Sequence, residues 1–291
     1  MITFTSPVTE LIRLRSSCRS YASSPLDAAT RKSLADAIRR MPPGPFGSPG
    51  RFELAAASEK DRNALRGLGT YGFIRSAPAF IIGAAPEAGK FLEDFGFRME
   101  TLVLAATGLG LGTCWLGGTF TRGTFARKIS AGESEILPAV CAVGVPAHGQ
   151  SVQEQTLRKQ IRADRRLGWE RLFFNSAFSR PLLTGEAGEY AKALEMVRLG
   201  PSASNKQPWR VVKDDGSWHF YLQRTPGYIG GKMSRLMGVA DMQRLDMGIA
   251  MCHFALTAAE MGLPGTWVEQ EPPLEKPDAW TEYVATWLAA G

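Results

Sequence analysis

"DFGFRMETLVLAATGLGLGTCW", residues 94–115, and "DMGIAMCHFALTAAEMGLPGTW", residues 246–267, carry one pattern at two places in the chain. Each opens on D-x-G and continues with apolar residues at helical spacing. Each then passes an Ala-Ala pair and a glycine-bearing turn before Gly-Thr and a tryptophan. The register slips by one residue inside the helix and again at the tryptophan. Self-similarity at long spacing marks a repeated structural unit. The apolar positions run almost all the way round each helix, which predicts a helix packed on more than one side. Gly108 and Gly110 should end the first helix, and Gly262 with Pro264 the second. A short strand is expected after each.

The same plan extends outward in both directions. In the first half, Leu26 to Arg40 reads as helix, "RFELAAAS" and "AFIIGAA" as strands, and "PAVCAVGV" as a closing strand. In the second, Gly185 to Leu199 reads as helix. "WRVVKDDGSWHFYL" reads as a hairpin turning at Asp215-Gly216, and "TEYVATWLA" as the closing strand. Helices and strands mix without strict βαβ alternation, so the fold class is α+β. The joint, "HGQSVQEQTLRKQIRADRRLGWE", is polar and reads as an exposed connecting helix or linker. The expected halves are residues 1–160 and 161–291, interlocked in one globular unit. Two tandem half-repeats that each carry one wide apolar helix would bury it against the other. That is an intramolecular pseudo-dimer, with two quasi-equivalent clefts at the seam.

Composition narrows the class. The 291 residues are 44% hydrophobic and 21% charged, enough for a sizeable core. No stretch has the apolar length of a membrane span, and the N-terminal "MITFTSPVTELIRLR" has no apolar signal core. Cys18, Cys114, Cys141 and Cys252 stand far apart, as reduced thiols of a cytoplasmic protein would. His148, His219 and His253 show no metal-ligand spacing, so no metal site is expected. The net charge is +6, but the basic residues are dispersed, which argues against nucleic acid and membrane partners.

Two short stretches look chemical. "LRSSCRSY" places Arg15, Ser16, Ser17 and Arg19 within five residues. Guanidinium forks and hydroxyls together suit a phosphate; the plain alternative is a solvated basic turn. "FFNSAFSRPLL" stands at the corresponding place in the second half, without the double arginine. "PSASNKQPWR", residues 201–210, gathers hydroxyls and amides before a strand, where the first half has "MPPGPFGSPGRF". Each half therefore keeps one piece and lacks the other. A cleft that combines the first half's arginines with the second half's loop is chemically complete, and the reciprocal cleft lacks both.

Three motifs in this order resemble the flavin-dependent nitroreductase family, in its fused single-chain branch, the TM nitroreductases. They are R-x-S-x-R at Arg15, Ser17 and Arg19, P-S-x-x-N-x-Q-P-W at Pro201 to Trp209, and G-L-G-T-x-W-x-G-G at Gly110 to Gly118. The resemblance covers nearly the whole chain. It implies FMN at the seam, with its phosphate on Arg15, Ser16, Ser17 and Arg19. Pro201, Ser202, Ala203, Ser204 and Asn205 would line the flavin, and Gln207 would orient that loop. Gly117 and Gly118 would bring backbone close to the ring, since glycine removes a Cβ. A late basic residue, Arg165 or Arg166, would add to the phosphate site, and Tyr71 and Gly72 would touch the pyrimidine edge. Trp209, Met251, His253 and Cys114 read as core.

The resemblance implies NADH or NADPH as electron donor and a small organic acceptor such as a nitroaromatic or a quinone. The catalytic chemistry would belong to the flavin, not to a side chain. The chain would act as a monomeric pseudo-dimer. The same fold hosts other flavin reactions, and a non-catalytic flavin-binding or carrier protein is the alternative.

Overall fold

The computed structural model describes residues 2–59, 61, 63–147, 155–156, 159–160, 165–228 and 239–290. Most of the expected connecting helix lies outside the described residues, as does His148; its end, Trp169–Arg171, is a single 3-10 turn.

In the first half, α1 (Val8–Leu14) and α2 (Ala28–Arg39) precede an antiparallel sheet. Asp27 caps α2, accepting from the Thr30 amide at 2.8 Å. The strands are β1 (Arg51–Ala56), β2 (Ala79–Pro86), β3 (Gly112–Leu116), β4 (Glu135–Ile136) and β5 (Val140–Gly144). The long helix α3 (Phe91–Gly108) joins β2 to β3, and α4 (Arg122–Lys128) follows β3. The main strand order is β1-β2-β5-β3.

The second half repeats this arrangement. Its strands are β6 (Phe173–Asn175), β7 (Ala177–Pro181), β8 (Trp209–Asp214), β9 (Ser217–Gln223), β10 (Gly265–Val268) and β11 (Thr281–Ala289). α5 (Ala191–Leu199) precedes β8, and α6 (Met242–Glu260) precedes β10. The order β8-β9-β11-β10 matches β1-β2-β5-β3 strand for strand. The hairpin turns where expected, with Asp215 and Gly216 at φ 42° and 77°, the left-handed pair that a two-residue hairpin turn favours. Gly110 and Gly262 adopt matching left-handed conformations after α3 and α6.

Three expectations need correction. The closing strand of each half inserts into its sheet, β5 between β2 and β3, and β11 between β9 and β10. The helix expected from Gly185 begins at Ala191, after a turn and a 3-10 segment, Gly188–Tyr190. The "FFNSAFSRPLL" stretch forms β6 and β7 and pairs parallel with β8, whereas Ser17 pairs parallel with Thr113 of β3. The two stretches thus lie on opposite edges of equivalent sheets and are not structural counterparts.

The halves meet where α3 crosses α6, and the crossing is a backbone contact. A Cβ on Gly96 would lie 2.2 Å from the Leu245 carbonyl oxygen, and a Cβ on Gly248 would lie 2.1 Å from that of Glu93. Each glycine faces the residue three positions before the other, so the contact is reciprocal, as an isologous interface requires. Arg244 on α6 locks the crossing with a 2.7 Å ion pair to the buried Glu93 on α3. The side chains interlock around it. Leu245 completes the first half's core, while Phe97 and Phe46 pack against the second half's.

The aspartate of each D-x-G holds the loop that precedes the equivalent strand of its own half, β1 or β8. Asp94 accepts from the Phe46 and Ser48 amides at 2.9 and 2.7 Å, and Asp246 accepts from the Ala203 amide at 2.9 and 3.2 Å. The "MPPGPFGSPGRF" and "PSASNKQPWR" loops are therefore structural counterparts.

Replacing Gly96 or Gly248 by Ala should cost about 3 kcal/mol or more, at the upper end of overpacking penalties, because a carbonyl cannot rotate away as a side chain can. Gly89→Ala, whose Cβ would meet nothing within 4 Å, should be close to neutral. Denaturant unfolding of the three variants checks the contrast.

A candidate cofactor site at the seam

A cavity of about 550 Å³ opens between the halves. Its first wall is the chain that leaves α1. This stretch is extended and runs along β3, with the Cys18 amide donating to the Thr113 carbonyl at 2.8 Å. Extended backbone puts alternate side chains on one face, which is the physical reason for the R-x-S-x-R spacing. Arg15, Ser16, Ser17 and Arg19 all line the cavity, joined by Arg13. The Arg15 side chain is only 7% exposed, and its Nε lies 3.9 Å from Glu100 Oε1. Trp115, also on the wall, donates from its indole nitrogen to Glu100 Oε2 at 2.8 Å.

The second wall comes from the other half. Pro201, Ser202, Ala203, Ser204 and Asn205 line the cavity. Ser204, Asn205 and Gln207 have φ of 50°, 55° and 50°. Three left-handed non-glycine residues in so short a loop need strong external fixing. The Gln207 amide donates to Ser202 Oγ at 2.8 Å, and the Leu167 amide donates to Gln207 Oε1 at 2.8 Å. Asn205 Nδ2 donates to the Arg165 carbonyl at 2.9 Å, and Arg166 donates to Asn205 Oδ1 at 3.3 Å. Tyr228 donates to Ser204 Oγ at 3.1 Å.

The third wall is the end of β3, with Gly117, Gly118 and Thr119. Arg122 donates to the Gly117 carbonyl and lies over the Phe120 ring. A Cβ on Gly117 would collide with Met242 of α6, itself a lining residue. A Cβ on Gly118 would meet nothing within 4 Å, so protein packing does not require glycine there.

Most of the residues singled out from sequence thus converge on one cavity, and four do not reach it. Gln207 is 3% exposed and does not line the cavity. Arg165 contributes its carbonyl to that loop, whereas Arg166 lines the cavity. Tyr71 is 68% exposed and, like Gly72, lies outside the cavity; Phe73, two residues after Tyr71, is on its wall. Sequence reading also missed Arg13, Tyr228, Met242 and Asp246. Asp246 carried a signal, the D-x-G it shares with Asp94. Trp209, Met251, His253 and Cys114 are all buried, as expected. All four cysteines are free thiols, and no metal-binding cluster occurs among the described residues. Among the described residues no helix is long and apolar enough to cross a membrane.

Asp246 is fully buried, and desolvation holds its carboxyl well above the usual carboxylate range despite the Ala203 amide. The folded state therefore favours its protonated form.

Two half-repeats of equal strand order, crossed at their long helices with a ligand-sized cavity at the seam, define a nitroreductase-like fold. A family model described as "Putative TM nitroreductase" matches residues 7–258, and the chain belongs to that family. Among solved structures it is similar to a Thermotoga maritima protein described as a putative nitroreductase, at 19% identity and a TM-score of 0.61, over 99% of this chain and 96% of that one. A putative nitroreductase in complex with FMN from Desulfovibrio desulfuricans matches at 22% identity and a TM-score of 0.39, over 52% of this chain and 95% of that one. A Bacteroides fragilis nitroreductase with bound FMN matches at 20% identity and a TM-score of 0.40, over 50% and 92%. No curated protein matches the chain.

Asp246→Asn keeps an acceptor for the Ala203 amide without a buried charge. A carboxyl whose folded pKa is raised adds stability that is full below its unfolded pKa and lost as pH rises through its folded one. Stability of the natural chain should therefore fall relative to Asp246→Asn by about 1.4 kcal/mol per pH unit across that interval, then level off. Asp94, raised by the same cause, is common to both proteins and cancels. Denaturant unfolding of the apoproteins from pH 4 upward reads the difference.

Proposed function

We propose that the chain is an FMN-dependent oxidoreductase of nitroreductase type. It passes electrons from NADH or NADPH through the flavin to a small organic acceptor such as a nitroaromatic or a quinone. The observation that carries this reading is the meeting, in one cavity, of the arginine-serine strand of the first half and the hydroxyl-amide loop of the second.

The residues present fit the group. The volume falls in the range of cofactor sites, roughly 300–1,000 Å³. Arginines crowd one end, where a phosphate would be held by charge-assisted bonds from Arg15 and Arg19 with Ser16 and Ser17 beside them. Gly118 leaves room that no protein atom claims, which a planar ring lying close to backbone would use. The loop from Pro201 to Asn205 is preset by Asp246, Gln207 and Arg166, so little ordering is left for ligand binding. Arg122 likewise fixes the Gly117 carbonyl beforehand.

When bound, FMN would supply the hydride and electron chemistry. The chain's residues would hold the phosphate at Arg15, Ser16, Ser17 and Arg19, line the ring with the Pro201–Asn205 loop and the Gly117–Gly118 backbone, and place cationic side chains near it. Because one chain supplies both walls, we propose that it works as a monomer with one FMN. At the position matching Ile249 on the cavity wall, the first half has Phe97, packed with Phe46 against the second half's core. That packing supports a single site.

Flavin released by denaturation should approach one per chain; two per chain would overturn the single-site reading. Anaerobic NAD(P)H should bleach the bound flavin. Binding without bleaching by either nucleotide would indicate a flavin carrier instead. Arg15→Ala/Arg19→Ala removes two charge-assisted contacts worth about 1.5–3 kcal/mol each, so FMN affinity should fall by roughly two to four orders of magnitude. Riboflavin, which lacks the phosphate, should lose far less on the same variant, and that comparison cancels any effect on folding.

A further inference from the structure

Beneath the arginine end of the cavity lies a buried ionic group that spans both halves. Glu100 on α3 and His253 on α6 are both fully buried, with His253 Nε2 at 3.0 Å from Glu100 Oε1. His253 Nδ1 lies 2.9 Å from the Met196 carbonyl on α5. A carbonyl only accepts, so Nδ1 carries a proton, and a second proton must lie between Nε2 and the Glu100 carboxylate. The other contacts of Glu100 reach the cavity wall: Trp115 Nε1 at 2.8 Å and Arg15 Nε at 3.9 Å. Cys141 and Cys252 also face Glu100, but burial raises both thiols, so they remain neutral.

The molecule contains its own control. In the ungapped match of the two repeats, Glu100 corresponds to Cys252 and Thr101 to His253. The reciprocal pair is Thr101 Oγ1 with Cys252 Sγ, at 3.4 Å. The same helix crossing therefore accommodates a neutral pair at the symmetric position. Packing alone does not call for a carboxyl–imidazole pair, and such a buried polar pair is no stability gain over the hydroxyl–thiol one. The carboxyl–imidazole pair stands only on the side where Glu100 meets Arg15. His253 in turn grips the Met196 carbonyl, in the helix that leads directly into Pro201.

We propose that Glu100 is a positioning residue for the anion-binding arginine. It braces the Arg15 guanidinium and the Trp115 indole against the cavity wall, and through the proton shared with His253 it ties that clamp to the base of the Pro201–Asn205 loop in the other half. The inference rests on the reading of Arg15 as a phosphate ligand.

The test is a double-mutant cycle read as flavin affinity of the apoprotein. Glu100→Gln should lower the FMN-to-riboflavin affinity ratio by about tenfold, the scale of one charge-assisted contact. In an Arg15→Ala background the same change should have almost no further effect on the ratio. A merely structural role would weaken both flavins alike and act equally in both backgrounds. If Glu100→Gln does not fold, Glu100→Gln/His253→Gln removes both charges together and should give the same loss of ratio. An unchanged ratio in either variant, or a full loss that persists without Arg15, overturns the proposal. A natural chain that does not prefer FMN over riboflavin overturns the cofactor reading itself, and this inference with it.

Discussion

Two helix backbones in direct contact set the geometry of the whole molecule. At Gly96 and Gly248 no side chain separates α3 from α6, and each carbonyl of the crossing sits where a Cβ would be. Close contact fixes the angle and register of the halves far more tightly than interdigitated side chains would, because backbone has no alternative rotamers. The consequences run outward by short steps. Two residues before each glycine, Asp94 and Asp246 fix the loops at the seam. Four and five residues after Gly96, Glu100 and Thr101 each meet the other's counterpart on α6, His253 and Cys252. The cavity exists where it does because the crossing holds β3 of one half beside the Pro201 loop of the other.

The frame is symmetric and its contents are not. Both D-x-G aspartates bind loop amides, yet one loop packs Phe46 against the second half's core and the other presents hydroxyls and an amide to a cavity. Phe97 fills where Ile249 lines. A buried carboxyl–imidazole pair stands opposite a hydroxyl–thiol pair. In a true homodimer each of these choices would be forced into both clefts at once. A single chain lets the two sides diverge, and each asymmetric pair here favours a ligand on the same side.

Much of this was legible in the sequence, for identifiable reasons. The repeat was visible because a helix buried on several sides demands apolar residues nearly all round. D-x-G stands in both repeats, and its two residues serve two separate jobs in the structure. The R-x-S-x-R spacing was readable because an extended segment shows alternate residues to one face. What escaped was long-range pairing. Nothing local in "FFNSAFSRPLL" says that it pairs parallel with β8, at the edge opposite to the one Ser17 occupies. His253 read only as core and Glu100 drew no notice, because the partner of each stands about 150 positions away. Around Tyr71, Gly72 and Phe73 a shift of one or two residues decides which side chain reaches the wall, and no local pattern sets it.

The reciprocal glycine contact also bears on how the protein comes into being. Its two carbonyl–glycine contacts join segments from opposite halves of the chain, so neither wall of the cavity has its partner until the second long helix has been made. Once made, the two walls meet at an effective concentration set by the tether, of the order of millimolar for a short flexible one, and no longer by the abundance of the protein. A two-subunit version of this seam would fall apart on dilution and regain its site at a rate that depends on collision. Here assembly is first-order, and the ligand site should be as intact in a cell holding a few copies as in one holding thousands.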